Sequence, residues 1–455
     1  MTQATNDLRQ DALAIFQAGI QAADPYSAVK RCLQSDGEQL DIALDLDNRA
    51  KRSGNWQKIY VIAFGKAACS MAKAAQEIIP AQLLAQPILA ITNYENVTEL
   101  ANIEILGANH PLPDQTGFVA AQRIAKIAQQ AQQGELVLAL VSGGGSALIP
   151  FPADGISLNE KIATTDLLLA SGATINEINC VRKHLSQIKG GGLAKFTAPA
   201  DLHALILSDV LGDKLSDIAS GPTIADDTTF NDAIQVFKDK NIWHKITQNV
   251  QTHLENGAQG IISETAKTGD AIFNNTGHTL CGSNTISLQA TSQMAQNLAY
   301  DLHLYSDQLS GEAKHIAEDL VIYAQALLSS GINKPNAILA GGETTVTITG
   351  TGLGGRNQEM ALAFAIAAEK HQLNANWVFL SGGTDGRDGP TDAAGGIVDQ
   401  QTIARMRNAT IEPKQYLANN DAYHALQISE DLLITGATGT NVADLQILLI
   451  QPQLT

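Results

Sequence analysis

Several glycine-rich segments of this chain follow apolar runs and also carry a charged or hydroxyl side chain. Lys66 lies in the segment Phe64–Ala68, and Ser142–Ser146 has three glycines between two serines. Consecutive glycines let several backbone N–H groups point into one concavity, which suits an anion. These segments indicate binding of a carboxylate or a phosphate. A surface lysine and an ordinary tight turn remain the alternatives for the two segments.

An aspartate and an arginine occupy comparable places further along the chain. Asp209 lies at the end of the apolar run 202–210, where a carboxylate is costly to bury unless it has a partner. A magnesium ion, a substrate hydroxyl or a lysine would supply that partner, and a helix N-cap role would also explain this aspartate. Arg356 follows the glycines of 352–355, and its planar fork suits phosphate or carboxylate. Pairing with a surface carboxylate is the alternative for Arg356.

Two further segments place charged residues next to glycines. The basic run 182–184 includes Arg182 and Lys183 and precedes a row of glycines. In an acidic chain this run is conspicuous, although a solvated helix end explains it equally well. Asp385 and Asp388 lie in a later glycine-rich segment, where their carboxylates would hold Mg²⁺ through water or fix a ribose. Turn chemistry accounts for the same Asp-Gly and Gly-Pro pairs.

The elements that must position these residues are predicted as strands alternating with helices. Residues 7–50 predict helices, and the less regular stretch 225–275 predicts a helical insertion or a linker. Strands that end in glycine turns indicate a mainly parallel sheet with helices on both faces, and ligands of such sheets bind at the carboxyl ends of the strands. The predicted strands and strand–turn segments cover 59–63, 86–92, 135–149, 202–210, 303–306, 336–343, 376–386 and 432–450.

Composition limits the class of protein and its partners. The 455 residues are too many for one hydrophobic core, so at least two domains are expected. The net charge of −17 disfavours nucleic acid and anionic membranes as partners. The four cysteines are scattered, which favours a reducing compartment, and no apolar run reaches the ~20 residues of a membrane span. The sequence predicts a cytoplasmic protein and does not indicate an oligomeric state.

Taken in order, the motifs resemble those of the type 2 glycerate kinases, a family whose C-terminal portion is called the MOFRL domain. The resemblance runs from about residue 7 to the end of the chain. It implies an α/β fold with two α/β/α domains, the larger one Rossmann-like with a mainly parallel sheet, and an active site in the cleft between them. The motifs are AFGKAA, VSGGGSAL, RKHLSQIKGGGLA, SDVLGDKLSDIASGPT, GGETTV, GLGGRNQEMAL, SGGTDGRDGPTDAAGG and ITGATGTNVADLQ.

The domain ranges expected on this basis are N-terminal helices over 1–50, a Rossmann-like domain over 51–275 and a MOFRL-type domain over 276–455. The helices over 1–50 are expected to pack on the C-terminal domain. The implied reaction is ATP-dependent phosphorylation of D-glycerate to 2-phosphoglycerate, with Mg²⁺ as the metal.

Carried onto this sequence, the catalytic residues of the family fall on Lys66, Asp209 and Arg356. We expect Asp209 to orient or deprotonate the attacking hydroxyl, while Lys66 and Arg356 hold the substrate carboxylate and the moving phosphoryl group. Asp209 and Asp385 are the expected metal ligands. The expected substrate- and ATP-binding residues are Ser142, Gly143, Gly144, Gly145, Ser146, Arg182, Lys183, Glu343, Gly354, Gly355, Asp385 and Asp388.

Two other functions compete with the kinase. The first is a hydroxypyruvate or tartronate-semialdehyde reductase, but no G-x-G-x-x-G follows an early strand with an acidic residue about twenty residues further on. The second is a non-catalytic homologue that binds a sugar acid or a nucleotide, which the intact Lys66, Asp209 and Arg356 argue against. A Walker A loop is also missing from the sequence, so the phosphates of ATP would be held by other glycine loops.

Overall fold

The computed structural model of the chain describes residues 3–46 and 50–452. The chain divides into two compact units. The N-terminal unit is Pro25–Cys281, and the C-terminal unit combines Met1–Asp24 with Gly282–Thr455. No described helix is long and apolar enough to cross a membrane.

The predicted domain ranges differ from these units at both ends of the N-terminal unit. The predicted helical segment 1–50 is divided between the units, since residues up to Asp24 belong to the C-terminal one. The predicted boundary at 275–276 lies a few residues before Cys281, the last residue of the N-terminal unit. Parts of the predicted ranges lie outside the described residues, namely 1–2, 47–49 and 453–455.

The strands are numbered in chain order. They are β1 (Leu33–Ser35), β2 (Leu40–Ala43), β3 (Lys51–Gly54), β4 (Ile59–Phe64), β5 (Ile88–Asn93), β6 (Ile103–Ala108), β7 (Leu136–Val141), β8 (Asp201–Leu207), β9 (Thr276–Gly282), β10 (Asp301–Leu309), β11 (Asn336–Gly342), β12 (Asn376–Gly383), β13 (Gly395–Asp399), β14 (Leu432–Leu433) and β15 (Asp444–Gln451).

The helices are numbered in the same way. They are α1 (Gln3–Ala22), α2 (Pro25–Cys32), α3 (Ala68–Ile78), α4 (Gln115–Gln130), α5 (Gly145–Leu148), α6 (Leu158–Ala170), α7 (Ile175–His184), α8 (Gly192–Thr197), α9 (Phe230–Asp239), α10 (Gln248–Ala258), α11 (Asn284–Asn297), α12 (Ala313–Ser329), α13 (Arg356–Lys370), α14 (Thr402–Asn408), α15 (Pro413–Ala418) and α16 (Ala422–Ile428). Short 3₁₀ helices cover Tyr94–Asn96, Ile218–Ser220, Trp243–Lys245 and Ala271–Phe273.

A six-stranded sheet in the order β6-β5-β4-β7-β8-β9 forms the centre of the N-terminal unit. Strands β6, β5, β4, β7 and β8 pair in parallel. Every residue of β4 and β7 is buried, which is why these strands are continuous apolar runs in the sequence. The prediction of a mainly parallel sheet is confirmed. Because the strands are parallel, the segments that follow β4, β7 and β8 leave the sheet at the same edge.

Strands β1, β2 and β3 form a separate antiparallel sheet in the N-terminal unit. The prediction of helices over 7–50 is therefore wrong for residues 33–43. Leu33, Leu40 and Ile42 are buried and alternate with more exposed residues, which is the period of two expected of strands. The predicted helical insertion in 225–275 is present as α9 and α10, whose apolar residues join a buried cluster with those of α7.

The C-terminal unit contains a mixed sheet in the order β10-β11-β15-β12-β13-β14. Strands β10 and β11 are parallel, whereas β15 is antiparallel to both β11 and β12. Side chains of β11 alternate between two cores: Ala337 and Leu339 pack with residues of α1, and Ile338 and Ala340 pack with residues of α12 and α13. Since successive side chains of a strand point to opposite faces, helices cover both faces of this sheet. The predicted α/β/α layering of this unit is confirmed.

Candidate active site

The end of strand β4 brings Lys66 to the carboxyl edge of the parallel sheet. Gly65 has a φ of +125°, and a Cβ there would lie 2.2 Å from the hydroxyl oxygen of Ser142. Only glycine therefore lets the segment after β4 pack against the segment after β7. The Lys66 backbone N–H donates to the Gly143 carbonyl oxygen over 2.9 Å. The Lys66 side chain is exposed, and its ammonium has no ion pair among the described residues.

Asp209 follows strand β8 and lies over the glycine backbone of the neighbouring loop. A Cβ at Gly143 would lie 2.1 Å from Asp209 Oδ2, so this approach requires glycine. The N-cap alternative for Asp209 is wrong, because the next element is the 3₁₀ helix Ile218–Ser220. The segments after β4, β7 and β8 therefore bring Lys66, Gly143 and Asp209 to one edge of the sheet.

His110 joins this group, although no sequence motif indicated it. A Cβ at Gly144 would lie 3.2 Å from His110 Nε2 and 3.3 Å from Lys66 Cγ. Burial lowers the pKa of His110, and the positive charge of Lys66 lowers it further, so the imidazole stays neutral near neutral pH. His110 follows strand β6, which was not predicted. A search for polar residues after that strand would have found this histidine.

The serines at the two ends of the glycine loop are held by protein contacts. The Ser142 hydroxyl accepts a hydrogen bond from the Ala67 backbone N–H over 3.1 Å. Lys189 Nζ donates to the Ser146 hydroxyl over 2.7 Å and to the Ser146 carbonyl oxygen over 3.0 Å. The loop is thus anchored at both ends, and its glycines, Gly143 to Gly145, remain between the anchors.

Three basic side chains lie near the Ser146 end of this loop. Lys161 and Lys189 are buried, with 6% and 2% of their surface exposed, and Arg182 is half-buried. Burial lowers the pKa of Lys189 well below its ordinary value, and the charges of Arg182 and Lys161 add to the shift. Burial and the charge of Arg182 also lower the pKa of Lys161 to about 7. Arg182 has no ion pair among the described residues, so its positive charge stays uncompensated close to the glycine loop.

Lys183 lies in the same helical turn but has a different environment. Its Nζ lies 3.2 Å from Asp226 Oδ1, and both side chains are buried. His184 is buried as well and faces Glu264. The alternative of a solvated helix end is therefore wrong for the end of α7. Because its ammonium is paired with Asp226, Lys183 does not lie free for a ligand, and its expected role in substrate or ATP binding stays a prediction.

Arg356, the first residue of α13, lies between carboxylates of the C-terminal unit. Its Nε and Nη2 donate to the two oxygens of Asp444 over 2.6 and 3.0 Å. Its Nη1 lies 2.8 Å from Glu343 Oε1. Burial disfavours the charged guanidinium, but the hydrogen bonds and charge of Asp444 outweigh that effect and raise the pKa of Arg356. Arg356 is thus paired with carboxylates, which was the alternative to binding a ligand. Asp444, buried at the start of β15, was not predicted as a site residue.

The other predicted residues of the C-terminal unit surround this ion pair. Asp388 Oδ1 and Oδ2 accept the backbone N–H groups of Asn357 and Gln358 over 3.2 and 2.8 Å, so this carboxylate caps the N-terminus of α13. Burial raises the pKa of Asp388 to about 6, against those hydrogen bonds. Asp385 Oδ1 accepts the Arg387 backbone N–H over 2.9 Å, as in an Asx turn.

The glycines Gly354 and Gly355 come directly before α13. A Cβ at Gly355 would lie 2.4 Å from the Asp388 carboxylate, so this position must be glycine for the cap to form. A Cβ at Gly354 would make only ordinary contacts, at 3.4 Å or more. Gly355 therefore serves the geometry of the helix start, whereas Gly354 has space beside it.

The predicted metal ligands do not form a cluster. Among the residues that the structure describes, no group of three or more His, Cys, Asp or Glu side chains is arranged to hold a metal ion. Asp209 belongs to the N-terminal unit and Asp385 to the C-terminal unit. Their role as metal ligands stays a prediction.

Comparisons with known proteins agree with the motifs. Residues 11–255 match the family described as a domain of unknown function (DUF4147), and residues 336–444 match the MOFRL family. The chain is 40% identical to the glycerate 2-kinase of Pyrococcus horikoshii over 98% of both chains. It is 37% identical to a putative hydroxypyruvate reductase of Agrobacterium vitis, over 97% of this chain and 94% of that relative.

The crystal structure of the glycerate kinase of Thermotoga maritima has a TM-score of 0.87 to this structure at 37% identity, and the match covers 98% of this chain and 100% of that one. The similarity in sequence and in fold extends over the full length of the chain. The chain belongs to the type 2 glycerate kinase family, with its MOFRL domain in the C-terminal unit.

Proposed function

We propose that this chain transfers the terminal phosphoryl group of ATP to D-glycerate and releases 2-phosphoglycerate. The observation that carries the proposal is the arrangement at the glycine loop, where the Asp209 carboxylate lies against Gly143 and the side chain of Lys66 lies against Gly144. The Lys66 ammonium has no ion pair among the described residues. Phosphoryl transfer requires chiefly positioning and neutralisation of charge, and these groups supply both. The full-length similarity to a glycerate 2-kinase supports the substrate and the 2-hydroxyl as the site of reaction.

In this proposal the N-terminal unit supplies the groups that act on the attacking hydroxyl. Asp209 accepts or orients the proton of the 2-hydroxyl, and Lys66 binds the glycerate carboxylate or the moving phosphoryl group. The backbone N–H groups of Gly143 to Gly145 hold phosphate oxygens. The charge of Arg182, which has no carboxylate partner among the described residues, favours an anion at that loop.

Arg356 would act through an exchange of partners. Asp444 binds Nε and Nη2 along one edge of the guanidinium from the protein interior, so it fixes the plane of the fork. Glu343 is exposed and holds only Nη1. An incoming phosphate or carboxylate can therefore replace Glu343 while Asp444 keeps Arg356 in place. The role of Arg356 as a holder of the anion thus remains compatible with its ion pairs.

Magnesium is expected to accompany ATP, because a divalent cation would neutralise the charge that develops on the phosphate oxygens. Mg²⁺ usually keeps several waters and takes one or two carboxylates together with the phosphates. Asp209 or Asp385 would supply such a carboxylate.

The proposal also covers compartment and partners. A small anionic substrate and ATP are the partners expected of a kinase, and we place the reaction in the cytoplasm. All cysteines in the described residues are free and buried, which suits a reducing compartment.

A hydroxypyruvate reductase is the second candidate, because the Agrobacterium vitis relative carries that name as a putative function. Reduction would need a nicotinamide nucleotide, and the loop after β4 lacks the glycine fingerprint that binds one. Protection against thermal unfolding by ATP but not by NADH would favour the kinase. A non-catalytic binding protein would show protection by ligands without any turnover.

The test of the proposed function is phosphorus NMR of the products formed from ATP, Mg²⁺ and D-glycerate. We expect 2-phosphoglycerate and ADP in equal amounts, and no ADP when glycerate is left out. A 3-phosphoglycerate signal would keep the kinase and refute the 2-hydroxyl. Intact ATP together with NADH consumption in the presence of hydroxypyruvate would refute the kinase.

A further inference from the structure

His110 lies in the segment between β6 and α4, against the middle glycine of the loop that follows β7. A Cβ at Gly144 would lie 3.1 Å from His110 Cδ2 and 3.2 Å from His110 Nε2. The same Cβ would lie 3.3 Å from Lys66 Cγ. The Nε2 edge of the imidazole and the side chain of Lys66 therefore meet on one side of the glycine loop.

The imidazole of His110 makes no hydrogen bond within the protein. It is half-buried, and neither ring nitrogen has a hydrogen-bond partner in the part of the chain that the structure describes. The other buried or half-buried histidines of the N-terminal unit each place a ring nitrogen against a protein oxygen, and they are His184, His203, His253 and His278. Because polar groups withdrawn from water are normally paired, His110 has the hydrogen-bonding capacity to bind a ligand at the loop.

The charges around His110 suit a neutral hydrogen-bond donor. Burial lowers the pKa of His110, the Lys66 ammonium lowers it further and Glu95 opposes the shift. Asp209, the remaining charged group at the loop, lies over the neighbouring Gly143. A neutral imidazole carries one N–H, and an oxyanion beside Nε2 would favour the form with the proton on that nitrogen. The influence of Lys66 on His110 shows that the ammonium and the imidazole are close enough to share one anion.

Both side chains are carried by backbone that is anchored. The Lys66 carbonyl oxygen accepts a hydrogen bond from Asn96 Nδ2 over 3.0 Å. The segment of His110 ends at Asp114, whose Oδ1 accepts the Gly117 backbone N–H over 2.8 Å and caps α4. Donors that are held in place before the reaction stabilise developing negative charge without a cost of reorganisation.

We propose that His110 is a further substrate-binding residue, whose Nε2–H donates a hydrogen bond to the same oxyanion that the Lys66 ammonium binds beside Gly144. The inference rests on the proposed function, because that oxyanion belongs to one of its substrates. The glycerate carboxylate and the moving phosphoryl group both present such oxygens, and steady-state kinetics distinguishes them.

The decisive variants are His110→Phe and His110→Gln. Phenylalanine keeps a flat ring and has no N–H, whereas the glutamine amide keeps a donor near the position of Nε2. We expect kcat/KM for D-glycerate to fall about 10²-fold in His110→Phe, as on removal of an oxyanion donor, and by less than about tenfold in His110→Gln. His244→Phe, at an exposed histidine of the same unit, is the matched control and should keep wild-type activity.

The separate kinetic constants of His110→Phe identify the oxyanion. If His110 binds the glycerate carboxylate, the KM for D-glycerate rises about 10²-fold and kcat hardly changes. If His110 binds the moving phosphoryl group, kcat falls by that factor, while the KM for D-glycerate and the dissociation constant of ADP, which lacks this group, stay within about twofold.

NMR of the wild-type protein with ¹³C-labelled histidine rings tests the contact without any substitution. The signal of His110 is the one that is missing from the spectrum of His110→Gln. We expect the pKa of His110 to rise when the oxyanion binds, because a negative charge beside the ring stabilises the imidazolium. D-glycerate alone causes the rise if the carboxylate is the partner. The β,γ-imido analogue of ATP with Mg²⁺ causes it, and ADP does not, if the phosphoryl group is the partner.

The two measurements together decide both proposals. If D-glycerate is phosphorylated but His110→Phe keeps kcat/KM within about twofold of the wild type, the role of His110 is refuted and the kinase stands. A loss of activity in His110→Phe without any change in the His110 signal would also refute it, since His110 would then act only on the structure of the loop. If the pKa of His110 rises with D-glycerate but no phosphate is transferred, the binding role stands and the proposed function fails. A wild-type protein that neither binds these ligands nor transfers phosphate refutes both.

Discussion

The glycine loops of the N-terminal unit and the glycine segment before α13 in the C-terminal unit look alike in sequence but differ in charge. In the N-terminal unit the Lys66 ammonium has no ion pair among the described residues, and the charge of Arg182 lies near the neighbouring loop. In the C-terminal unit Arg356 is held by Asp444 and Glu343. In the first region an anion can bind the lysine directly. In the second region an anion can bind the arginine only by replacing one of its carboxylate partners. A glycine-rich segment therefore predicts where a ligand approaches the backbone. Whether the nearby lysine or arginine can bind that ligand directly, or must first give up an ion pair, depends on its carboxylate partners.

The largest expected effect is that of Asp209→Asn, which removes the negative charge of this side chain and hardly changes its shape. If Asp209 is the general base, kcat/KM for D-glycerate should fall about 10³-fold, within the range of roughly 10² to 10⁴ for such groups. Asp213→Asn, a partly exposed aspartate in the same segment, is the matched control and should keep wild-type activity. If kcat/KM for D-glycerate falls by less than about tenfold in steady-state kinetics, Asp209 is not the general base.

The second change is Lys66→Met, which tests whether the free cation matters. We expect kcat/KM to fall about 10²-fold, as for other preorganised electrostatic groups. The free energy of unfolding should hardly change, because no ion pair among the described residues is lost. Lys126→Met, another exposed lysine of the N-terminal unit, serves as the control. Equal activities of the two variants would show that Lys66 is a surface residue.

Asp444→Asn breaks the interior side of the Arg356 ion pair. Because Asp444 is fully buried, removing its charge leaves a half-buried guanidinium poorly compensated, and we expect a loss of about 3 kcal/mol in the free energy of unfolding. Urea denaturation monitored by circular dichroism measures the loss. A change below about 1 kcal/mol would mean that Asp444 does not hold Arg356, and the contrast between the two regions would disappear.

The pH dependence of stability tests the cap at the start of α13. The pKa of Asp388 is raised to about 6 in the folded state by burial, above its ordinary value near ~3.9. The folded state therefore binds the proton more tightly, and this carboxyl lowers the free energy of unfolding as the pH rises from about 4 to about 6. Asp388→Asn should reduce this loss of stability between about pH 4 and about pH 6 by on the order of 2 kcal/mol. Asp392→Asn, at an exposed position, should not change it. Parallel slopes for the wild type and Asp388→Asn in urea titrations would contradict the assignment.

The smallest effect is expected from Glu343→Gln, on the exposed side of Arg356. Exposed ion pairs contribute about 0–1 kcal/mol, so the free energy of unfolding should change by less than about 1 kcal/mol. If an anionic substrate replaces Glu343, the variant should lower the KM of that substrate, by about threefold. A raised KM for both ATP and D-glycerate would show instead that Glu343 itself binds a substrate.

Much of the fold follows from patterns in the sequence. Strands β4, β7 and β8 are apolar runs long enough to be recognised, and the glycine turns after them mark the edge at which Lys66 and Asp209 meet. The short strands β1 and β2 were missed because few residues carry their alternation. Strand β6 was missed because most of its residues are only partly buried, so it is not a continuous apolar run. Because β6 was not predicted, His110 was not recognised as a site residue, since its position beside Lys66 depends on that strand. An error in one strand thus became an error in the site.

The sequence by itself determined the α/β class, the glycine loops and the membership of a kinase family, since these depend on local periodicity and on ordered motifs. Only the tertiary structure decided which charges are paired. Arg356 and Asp444 are 88 positions apart, and Lys183 and Asp226 are 43 apart. The physical reason is that ion pairing and burial depend on which segments become neighbours in space. Strand β15 lies between β11 and β12 and carries Asp444 to the start of α13, and no local pattern in the sequence encodes that neighbour.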